Sequence, residues 1–97
     1  MKRVIWSPRS IRDLESIREY IARDSLLYAD LVVQRLIKSV DRLVQAPESG
    51  RIVPELAEPS IREVIIRPHR LVYRIRPQSV EVVTVFHAAR LFPGEAT

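Results

Sequence analysis

Residues 29–44 read ADLVVQRLIKSVDRLV and carry the strongest periodic signal in the chain. Their apolar side chains recur every three or four positions, which is the spacing of one helix face. The stripe comprises Ala29, Val32, Val33, Leu36, Ile37, Val40, Leu43 and Val44. Because it is wide, we expect this helix to pack on both another helix and a sheet. Pro47 and Gly50 predict its end, since proline cannot continue a helix and glycine suits the following turn.

A shorter amphipathic helix is predicted at residues 8–23, before this stretch. Its apolar positions recur at helical spacing and are Ile11, Leu14, Ile17 and Ile21. Ser7 is a suitable N-cap, and Pro8 fits the first helical position because its absent N–H needs no partner there. The brief interruption at Asp24-Ser25 predicts that the two helices form an antiparallel hairpin. The apolar run at residues 2–6 predicts an edge strand.

After Pro59 the apolar period changes from that of a helix to that of a strand. Strands are predicted at residues 61–67, 70–76 and 80–87, following a polar connector at residues 51–60. The order of elements is therefore β-α-α-β-β-β. This order predicts an α+β fold of two layers, with the helical hairpin packed on a mainly antiparallel sheet. The length of 97 residues suits one domain, spanning residues 1–97.

A two-residue loop at Gln78-Ser79 sets the predicted register of the last two strands. In this register apolar side chains meet across the strands, which stabilises the pairing. The predicted pairs are Ile75–Val82, Tyr73–Thr84, Leu71–Phe86 and, between opposite charges, Arg76–Glu81. On the other face the same register places Arg70 opposite His87. It therefore predicts one sheet face on which Arg70, Arg74 and Arg76 are joined by His87.

The chain is strongly basic, with a net charge of +4 and a sequence pI of about 10.1. Of its 16 positive residues, 14 are arginine, whose planar guanidinium suits carboxylates and phosphates. The C-terminal half holds most of this excess, with six arginines and two glutamates in residues 61–90. The implied partner is acidic, either a nucleic acid or an acidic protein segment. In the alternative interpretation the arginines form a solvated face and pair with Glu63 and Glu81.

Several classes of function are excluded by what the sequence lacks. Without cysteine there are no disulfides, thiolate metal sites or cysteine nucleophiles. The two glycines, Gly50 and Gly94, cannot form a Gly-rich phosphate loop. His69 and His87 have no acidic cluster beside them, so neither a metal nor a cofactor is predicted. No apolar run reaches the roughly 18 residues of a membrane span, so a cytoplasmic location away from membranes is expected.

A series of short motifs follows a recognisable order and spacing along nearly the whole chain. In the N-terminal half they are Trp6-Ser7-Pro8, Asp13-Leu14, IREYI at residues 17–21, Pro47 and Gly50-Arg51. In the C-terminal half they are Pro54-Glu55-Leu56, Ile61-Arg62-Glu63, Tyr73-Arg74-Ile75, Val85-Phe86-His87 and Arg90. Together they resemble the RelE/ParE superfamily of type II toxin–antitoxin toxins. The long helical hairpin, the Ile-Arg-Glu strand and the ending from His87 to Arg90 are more similar to its ParE-like branch.

The resemblance implies a toxin that causes growth arrest, acts in plasmid stabilisation and is neutralised by a cognate antitoxin. ParE-like members poison DNA gyrase without a known catalytic residue set. The chain is therefore expected to inhibit gyrase and is not expected to be an enzyme. RelE-like members are ribosome-dependent endoribonucleases that cut mRNA; in this alternative Arg70, His87 and Arg90 would be catalytic. However, Ala88 and Ala89 stand where that branch places its terminal proton-transfer group. A third alternative is a degenerate member that only binds its antitoxin.

The resemblance also implies how the antitoxin binds. Its acidic, amphipathic tail is expected to fold along the helical hairpin and the sheet, while DNA is contacted only through the complex. The residues expected to bind the target or the antitoxin are Arg51, Arg62, Arg67, Arg70, Arg74, Arg76, His87 and Arg90. Arg62 and Arg74 are predicted to take carboxylates of the tail. The tail has candidate contact residues in Leu26, Leu27 and Tyr28. In the alternative interpretation these residues close the tip of the helical hairpin.

Overall fold

The computed structural model of the chain describes residues 2–90, so Met1 and residues 91–97 of the expected domain lie outside the described part. The elements are β1 (Arg3–Trp6), α1 (Pro8–Ala22), α2 (Leu26–Gln45), a one-turn 3₁₀ helix (Pro47–Ser49), β2 (Arg51–Ile52), β3 (Ile61–Ile66), β4 (His69–Ile75) and β5 (Ser79–His87). The sheet order is β1-β5-β4-β3-β2, and only β1 and β5 pair in parallel. The predicted α+β fold is confirmed, with two helices packed on a mainly antiparallel sheet.

The helices begin where local chemistry predicts. The side chain of Ser7 caps α1 by accepting a hydrogen bond from the Ser10 N–H at 3.0 Å, and Pro8 occupies the first helical position. Ser25 caps α2 in the same way through the Tyr28 N–H at 3.0 Å. Both caps satisfy backbone donors that have no partner inside a helix. The connection between the helices is only residues 23–25, so they pack directly on each other.

The main core lies between the helices and one side of the sheet. The stripe of α2 supplies the buried residues Ala29, Val32, Leu36, Val40 and Leu43. Its partners on the sheet are Leu71, Tyr73, Val80, Val82 and Val85. Ile37, predicted to belong to this stripe, is 42% exposed, so the buried face of α2 is narrower than the sequence pattern.

A second, smaller core lies on the other side of the sheet, which we call the far side. It contains Val72, Val83 and Phe86 from β4 and β5, together with Ile61 from β3. Val53 and Leu56, from the connector between β2 and β3, cover these residues. The stretch predicted as a polar connector therefore contributes the short strand β2 and a lid of apolar side chains. A pairing of two residues leaves no periodic pattern in a sequence, which is why β2 was not predicted.

The predicted register of β4 and β5 is wrong. The observed pairs are Ile75–Val80, Arg74–Glu81 and Tyr73–Val82, followed beyond a bulge by Val72–Thr84, Leu71–Val85, Arg70–Phe86 and His69–His87. The loop is Pro77-Gln78, closed by a hydrogen bond from the Arg76 N–H to the Ser79 carbonyl at 2.9 Å. Proline has no N–H to donate to a ladder, so Pro77 is placed in the loop and not in the pairing assigned to it.

The bulge on β5 shifts the alternation of the strand by one residue. Val83 has no partner on β4, so Val85 joins the helix side and Phe86 the far side, the reverse of the predicted faces. Two side chains from the start of the chain hold this bulge. Asp13 accepts hydrogen bonds from the Thr84 hydroxyl at 2.6 Å and the Val85 N–H at 3.0 Å. Ser7 donates its hydroxyl proton to the Val83 carbonyl at 2.9 Å.

Neither helix in the described part of the chain is long and apolar enough to cross a membrane.

Candidate functional site

Arg70, the central arginine of the predicted site, is buried on the far side of the sheet and bound by two carboxylates. Its guanidinium donates to both oxygens of Glu55, at 3.0 and 2.9 Å, and its Nε donates to Glu63 Oε1 at 2.7 Å. It also lies over the ring of Phe86, 5.1 Å from the centroid. Arg51 on β2 pairs with the other oxygen of Glu63, whose side chain is fully buried. We call these four charged residues the Arg70 cluster.

The electrostatics of this cluster favour the charged forms of Arg70 and Glu55. Hydrogen bonding to Glu55, and then to Glu63, raises the pKa of Arg70 despite the opposing effect of burial. Hydrogen bonding to Arg70 lowers the pKa of Glu55. Because the two carboxylates neutralise the guanidinium, an incoming phosphate would have to displace Glu55 to reach it. The cluster ties the connector to the sheet, and in this state it offers little to an anionic ligand.

Two further arginines of the predicted site are also engaged within the chain. Arg62 donates to the carbonyls of Pro59, Glu48 and Gly50 at 2.9–3.2 Å, so it braces the turn after α2. Arg76 pairs with Glu81 at 3.0 Å, although their strand positions differ from the predicted register. The sequence allowed an alternative interpretation, in which arginines pair with Glu63 and Glu81. The structure shows such pairs for Arg51, Arg70 and Arg76.

The three remaining arginines of the predicted site lie in three different places. Arg74 is half-buried on the far side of the sheet, facing Ile61 of β3 and Glu81 of β5. Arg67 is exposed in the turn between β3 and β4, and Arg90 is exposed just beyond β5. Across residues 2–90 no ion pair is recorded for Arg67, Arg74 or Arg90. These three arginines are therefore the predicted site cations that remain available to an acidic partner.

A groove of about 600 Å³ lies between the helical hairpin and the ends of β4 and β5. Its apolar walls are formed by Ile17, Ile21, Val32, Pro68 and Val85. Tyr20 and Tyr28 also line it and are 69% and 50% exposed. Its polar residues include Asp13, His69, His87 and Arg90. Volume and lining are those of a site that receives an apolar ligand or side chains of a partner.

Two histidines lie side by side in this groove. His69 and His87 are opposite each other on β4 and β5, with ring centroids 5.9 Å apart and an edge-to-face orientation. His87 is exposed, and its Nδ1 accepts a hydrogen bond from the Ala89 N–H at 3.0 Å. His69 is buried, and burial, followed by the charge of His87, lowers its pKa. The neutral form of His69 is therefore favoured at neutral pH.

The predicted face combining Arg70 with His87 does not exist. Because of the bulge, Arg70 faces Phe86 on the far side, whereas His87 faces His69 in the groove on the helix side. Arg90 lines the same groove as His87. The structure thus brings together His87 and Arg90 but separates both from Arg70 by the thickness of the sheet.

Three residues that matter for the site were not predicted as site residues: Glu55, Asp13 and His69. Glu55 and Asp13 occur only within motifs of the resemblance, and nothing in their spacing shows that they bind Arg70 and β5. The one local signal for the Arg70 cluster in the sequence is the charged residue Glu63 in an apolar strand. A carboxylate that is buried there needs a cation as partner. Within residues 2–90 no three histidine or acidic side chains are grouped to hold a metal ion.

The family of the chain follows from comparison with known proteins. The model of the ParE toxin of the type II toxin–antitoxin system, parDE, matches residues 4–92. The chain therefore belongs to this family of toxins, within the RelE/ParE superfamily. It is 38% identical over 92 residues to Toxin RelE2 of Caulobacter vibrioides, covering 94% of this chain and 100% of that relative. It is also 38% identical over 94 residues to protein Y4kP of Sinorhizobium fredii, covering 95% of this chain and 94% of that protein.

The fold is shared with a solved structure described as the chromosomal ParDE toxin–antitoxin system from P. aeruginosa. The TM-score is 0.75 at 20% identity, covering 90% of this chain and 96% of the other. A second structure, a YoeB/ParE toxin from Agrobacterium tumefaciens, matches with a TM-score of 0.59 at 19% identity, covering 88% and 96%. At these identities the likeness concerns the fold. Membership of a type II toxin family implies an antitoxin as partner.

Proposed function

We propose that this chain is a ParE-like toxin that inhibits DNA gyrase by binding it, and that a cognate antitoxin neutralises it. The observation that carries this proposal is the separation of Arg70 from His87 and Arg90 by the sheet. Cleavage of RNA requires a proton-transfer group and a cation close to the same phosphodiester. Arg70 is neutralised by two carboxylates, so the arginine expected to stabilise a phosphate is already occupied.

A binding mechanism needs no such pair. Gyrase inhibition would depend on shape and on available cations, which are the exposed Arg67 and Arg90 and the half-buried Arg74. The experiment uses purified chain in a gyrase supercoiling assay and in an assay for trapped gyrase–DNA cleavage complexes. Inhibition with accumulation of cleaved complexes is expected. Full supercoiling activity at a large molar excess of the chain would contradict the proposal.

A ribosome-dependent endoribonuclease is the second candidate, favoured by one observation. His87 is exposed beside Arg90 at the open groove, so a titratable group and a cation lie together without Arg70. One relative of the chain is named Toxin RelE2, after the RelE-like branch of the superfamily. Primer extension on mRNA in a translating extract tests this candidate. Codon-dependent cuts that are lost in both His87→Gln and Arg90→Gln, with gyrase unaffected, would favour it over gyrase inhibition.

Neutralisation is proposed to occur through an acidic tail of the antitoxin that lies along the hairpin and the sheet. Leu26, Leu27 and Tyr28 at the start of α2 are 57%, 73% and 50% exposed, which leaves a contiguous apolar surface for it. Arg74 is available for a carboxylate, whereas Arg62 is already bound to three carbonyls. Co-expression provides the test: an antitoxin without its C-terminal tail should fail to relieve growth arrest.

The control for this test is expression of the chain alone. Growth arrest is expected, and a chain that leaves growth unchanged although it is folded and abundant would instead be a degenerate member. If the truncated antitoxin still restores growth, the tail does not neutralise the toxin in the proposed way.

A further inference from the structure

Four cations surround a single carboxylate at the end of the sheet where the loop joins β4 to β5. The carboxylate belongs to Glu81 of β5, which is opposite Arg74 on β4 and pairs with Arg76 at 3.0 Å. On the other side of β5, strand β1 contributes Arg3, which is the partner of Ser79. With a net charge of +3, the Glu81 patch comprises Lys2, Arg3, Arg74, Arg76 and Glu81.

The register of the strands brings these charges together on the far side of the sheet. Val4 and Trp6 of β1 pack against the main core, so Arg3 between strand neighbours points to the far side. Glu81 and Arg74 lie there too, because the residues that flank them face the helices. Neighbouring strands are about 4.8 Å apart and residues on one face of a strand about 6.8 Å, so the backbones of these charged residues lie within about 12 Å of one another. One ligand can therefore contact several of them at once.

Most of the positive charge of the patch remains available. Arg3 is exposed and Arg74 is half-buried, and across residues 2–90 no ion pair is recorded for either. The side chain of Arg76 is 47% exposed although it pairs with Glu81. Lys2 donates to two backbone carbonyls at the loop, which holds its ammonium group beside the patch. Because one carboxylate cannot neutralise four cations, the patch presents a positive field to an approaching ligand.

We propose that the Glu81 patch contacts the phosphate backbone of the DNA that gyrase holds. The inference rests on the proposed function, because the DNA is met within the gyrase complex. Duplex DNA carries one negative charge per about 1.7 Å of its axis, so a stretch about 10 Å long offers about six phosphates. The planar guanidinium of arginine binds a phosphate through two parallel hydrogen bonds. This direct contact would add to the DNA contact that is expected through the antitoxin complex.

Position and composition favour DNA over an acidic protein segment as the ligand. The groove, which lies at the opposite end of β4 and β5, includes no residue of the patch. A segment that gives one carboxylate to Arg74 would leave the other cations of the patch without a counter-ion. Among the described residues at this end of the sheet, Ile5 is the exposed large apolar side chain, at 42%, which offers little to the apolar face of an amphipathic tail. A polyanion with closely spaced charges suits the patch better.

The first measurement is fluorescence anisotropy of a labelled DNA duplex titrated with the purified chain at several salt concentrations. Arg3→Gln combined with Arg74→Gln removes two phosphate contacts, so it should weaken binding about tenfold at about 50 mM salt. The slope of log affinity against log salt should become shallower by about 2, since each lost contact changes it by about 1. The matched control is Arg35→Gln combined with Lys38→Gln, which removes the same charge from exposed positions of α2 and should preserve the slope.

The second measurement compares the same variants in the gyrase supercoiling assay. The concentration of chain that gives half-inhibition should rise about tenfold for the patch variant and stay unchanged for the control. Binding to gyrase without DNA should be the same for all of them, because the patch contacts the DNA. Arg3→Glu is a second variant, chosen because Arg3 is exposed and its replacement leaves the core untouched. Circular dichroism melting curves establish that each variant is folded.

Each outcome either supports the DNA contact or overturns it. A wild type that does not bind the duplex would overturn it, as would equal affinity for the duplex in the patch and control variants. Loss of gyrase binding without DNA would assign the patch to the gyrase protein instead. Reduced affinity for the antitoxin with unchanged affinity for DNA would assign it to the antitoxin tail.

The two assays also separate this inference from the proposed function. Gyrase inhibition that is equal in the wild type and the patch variant would overturn the inference and leave the proposed function standing. A wild type that binds the duplex through the patch but does not inhibit gyrase would overturn the proposed function, and the patch would remain a DNA-binding surface without gyrase as its context.

Discussion

Replacing Arg70 by methionine is expected to destabilise the protein strongly, whatever its effect on toxicity. The substitution leaves the fully buried Glu63 carboxylate with Arg51 as its cation, and the Arg51 side chain is 59% exposed. Removing one partner of a buried ion pair costs about 3–5 kcal/mol. We expect the lower end, about 3 kcal/mol, because Arg51 remains. For a domain of this size that corresponds to a fall in Tm of roughly 12–24 °C.

A double variant distinguishes this ionic explanation from a general packing defect. Glu63→Leu combined with Arg70→Met replaces the buried pair by apolar side chains, and such replacements are often neutral or stabilising. Arg51 and Glu55 would then both turn to water, since their side chains are 59% and 41% exposed. The double variant should therefore recover to within about 1 kcal/mol of the wild type.

Urea and thermal denaturation followed by circular dichroism measure these changes in the free energy of unfolding. The matched control is Arg76→Met, which breaks the partly exposed Arg76–Glu81 pair and should cost less than about 1 kcal/mol. A loss in Arg70→Met no larger than that in Arg76→Met would show that the buried ion pair does not stabilise the fold in this way, as would a double variant no more stable than Arg70→Met. If Arg70→Met does unfold more easily, loss of growth arrest in an Arg70 variant does not by itself indicate catalysis.

Three other substitutions test contacts that position the site. Gly50→Ala should destabilise the protein by about 1–3 kcal/mol in urea denaturation, because a Cβ there would lie 2.5 Å from the Tyr73 hydroxyl and 2.7 Å from the Glu63 carbonyl. Tyr73→Phe should cost about 1–3 kcal/mol, since the hydroxyl donates to the Pro47 carbonyl at 2.6 Å and accepts from the Gly50 N–H at 3.0 Å. Burial raises the pKa of Tyr73. The neutral hydroxyl therefore stabilises the fold below pH 10, and this stabilisation is lost as the pH rises above that value. Tyr73→Phe should reduce this loss of stability at alkaline pH. Asp13→Ala should loosen the bulge and speed amide hydrogen exchange at Val85, whereas unchanged exchange there would show that the bulge forms without Asp13.

The sequence predicts those features of the fold that depend on neighbouring residues. The stripe at residues 29–44 places α2, Ser7 and Pro8 place the start of α1, and the change of period after Pro59 places the strands. Each of these signals lies within a few residues of the structure that it specifies. The order of the elements then leaves few ways to bury the apolar faces, so the two-layer fold follows.

The site depends on contacts that local patterns do not carry. The register of β4 and β5 is set partly by Pro77 and partly by the bulge at Val83. The bulge is bound by Asp13 and Ser7, which stand more than 70 positions before it in the chain. One extra residue in a strand turns every later side chain to the opposite face.

The amino-acid sequence alone thus determined the helices, the strands, their order and the kinship with ParE-like toxins, because periodicity and capping act over short stretches of chain. Only the tertiary structure decided which basic residues are available to a partner. It neutralises Arg70 with Glu55 and Glu63, and it turns His87 away from Arg70 towards His69. The physical reason is that buried charges take whichever counter-ions the fold brings within reach, and those residues are distant in sequence.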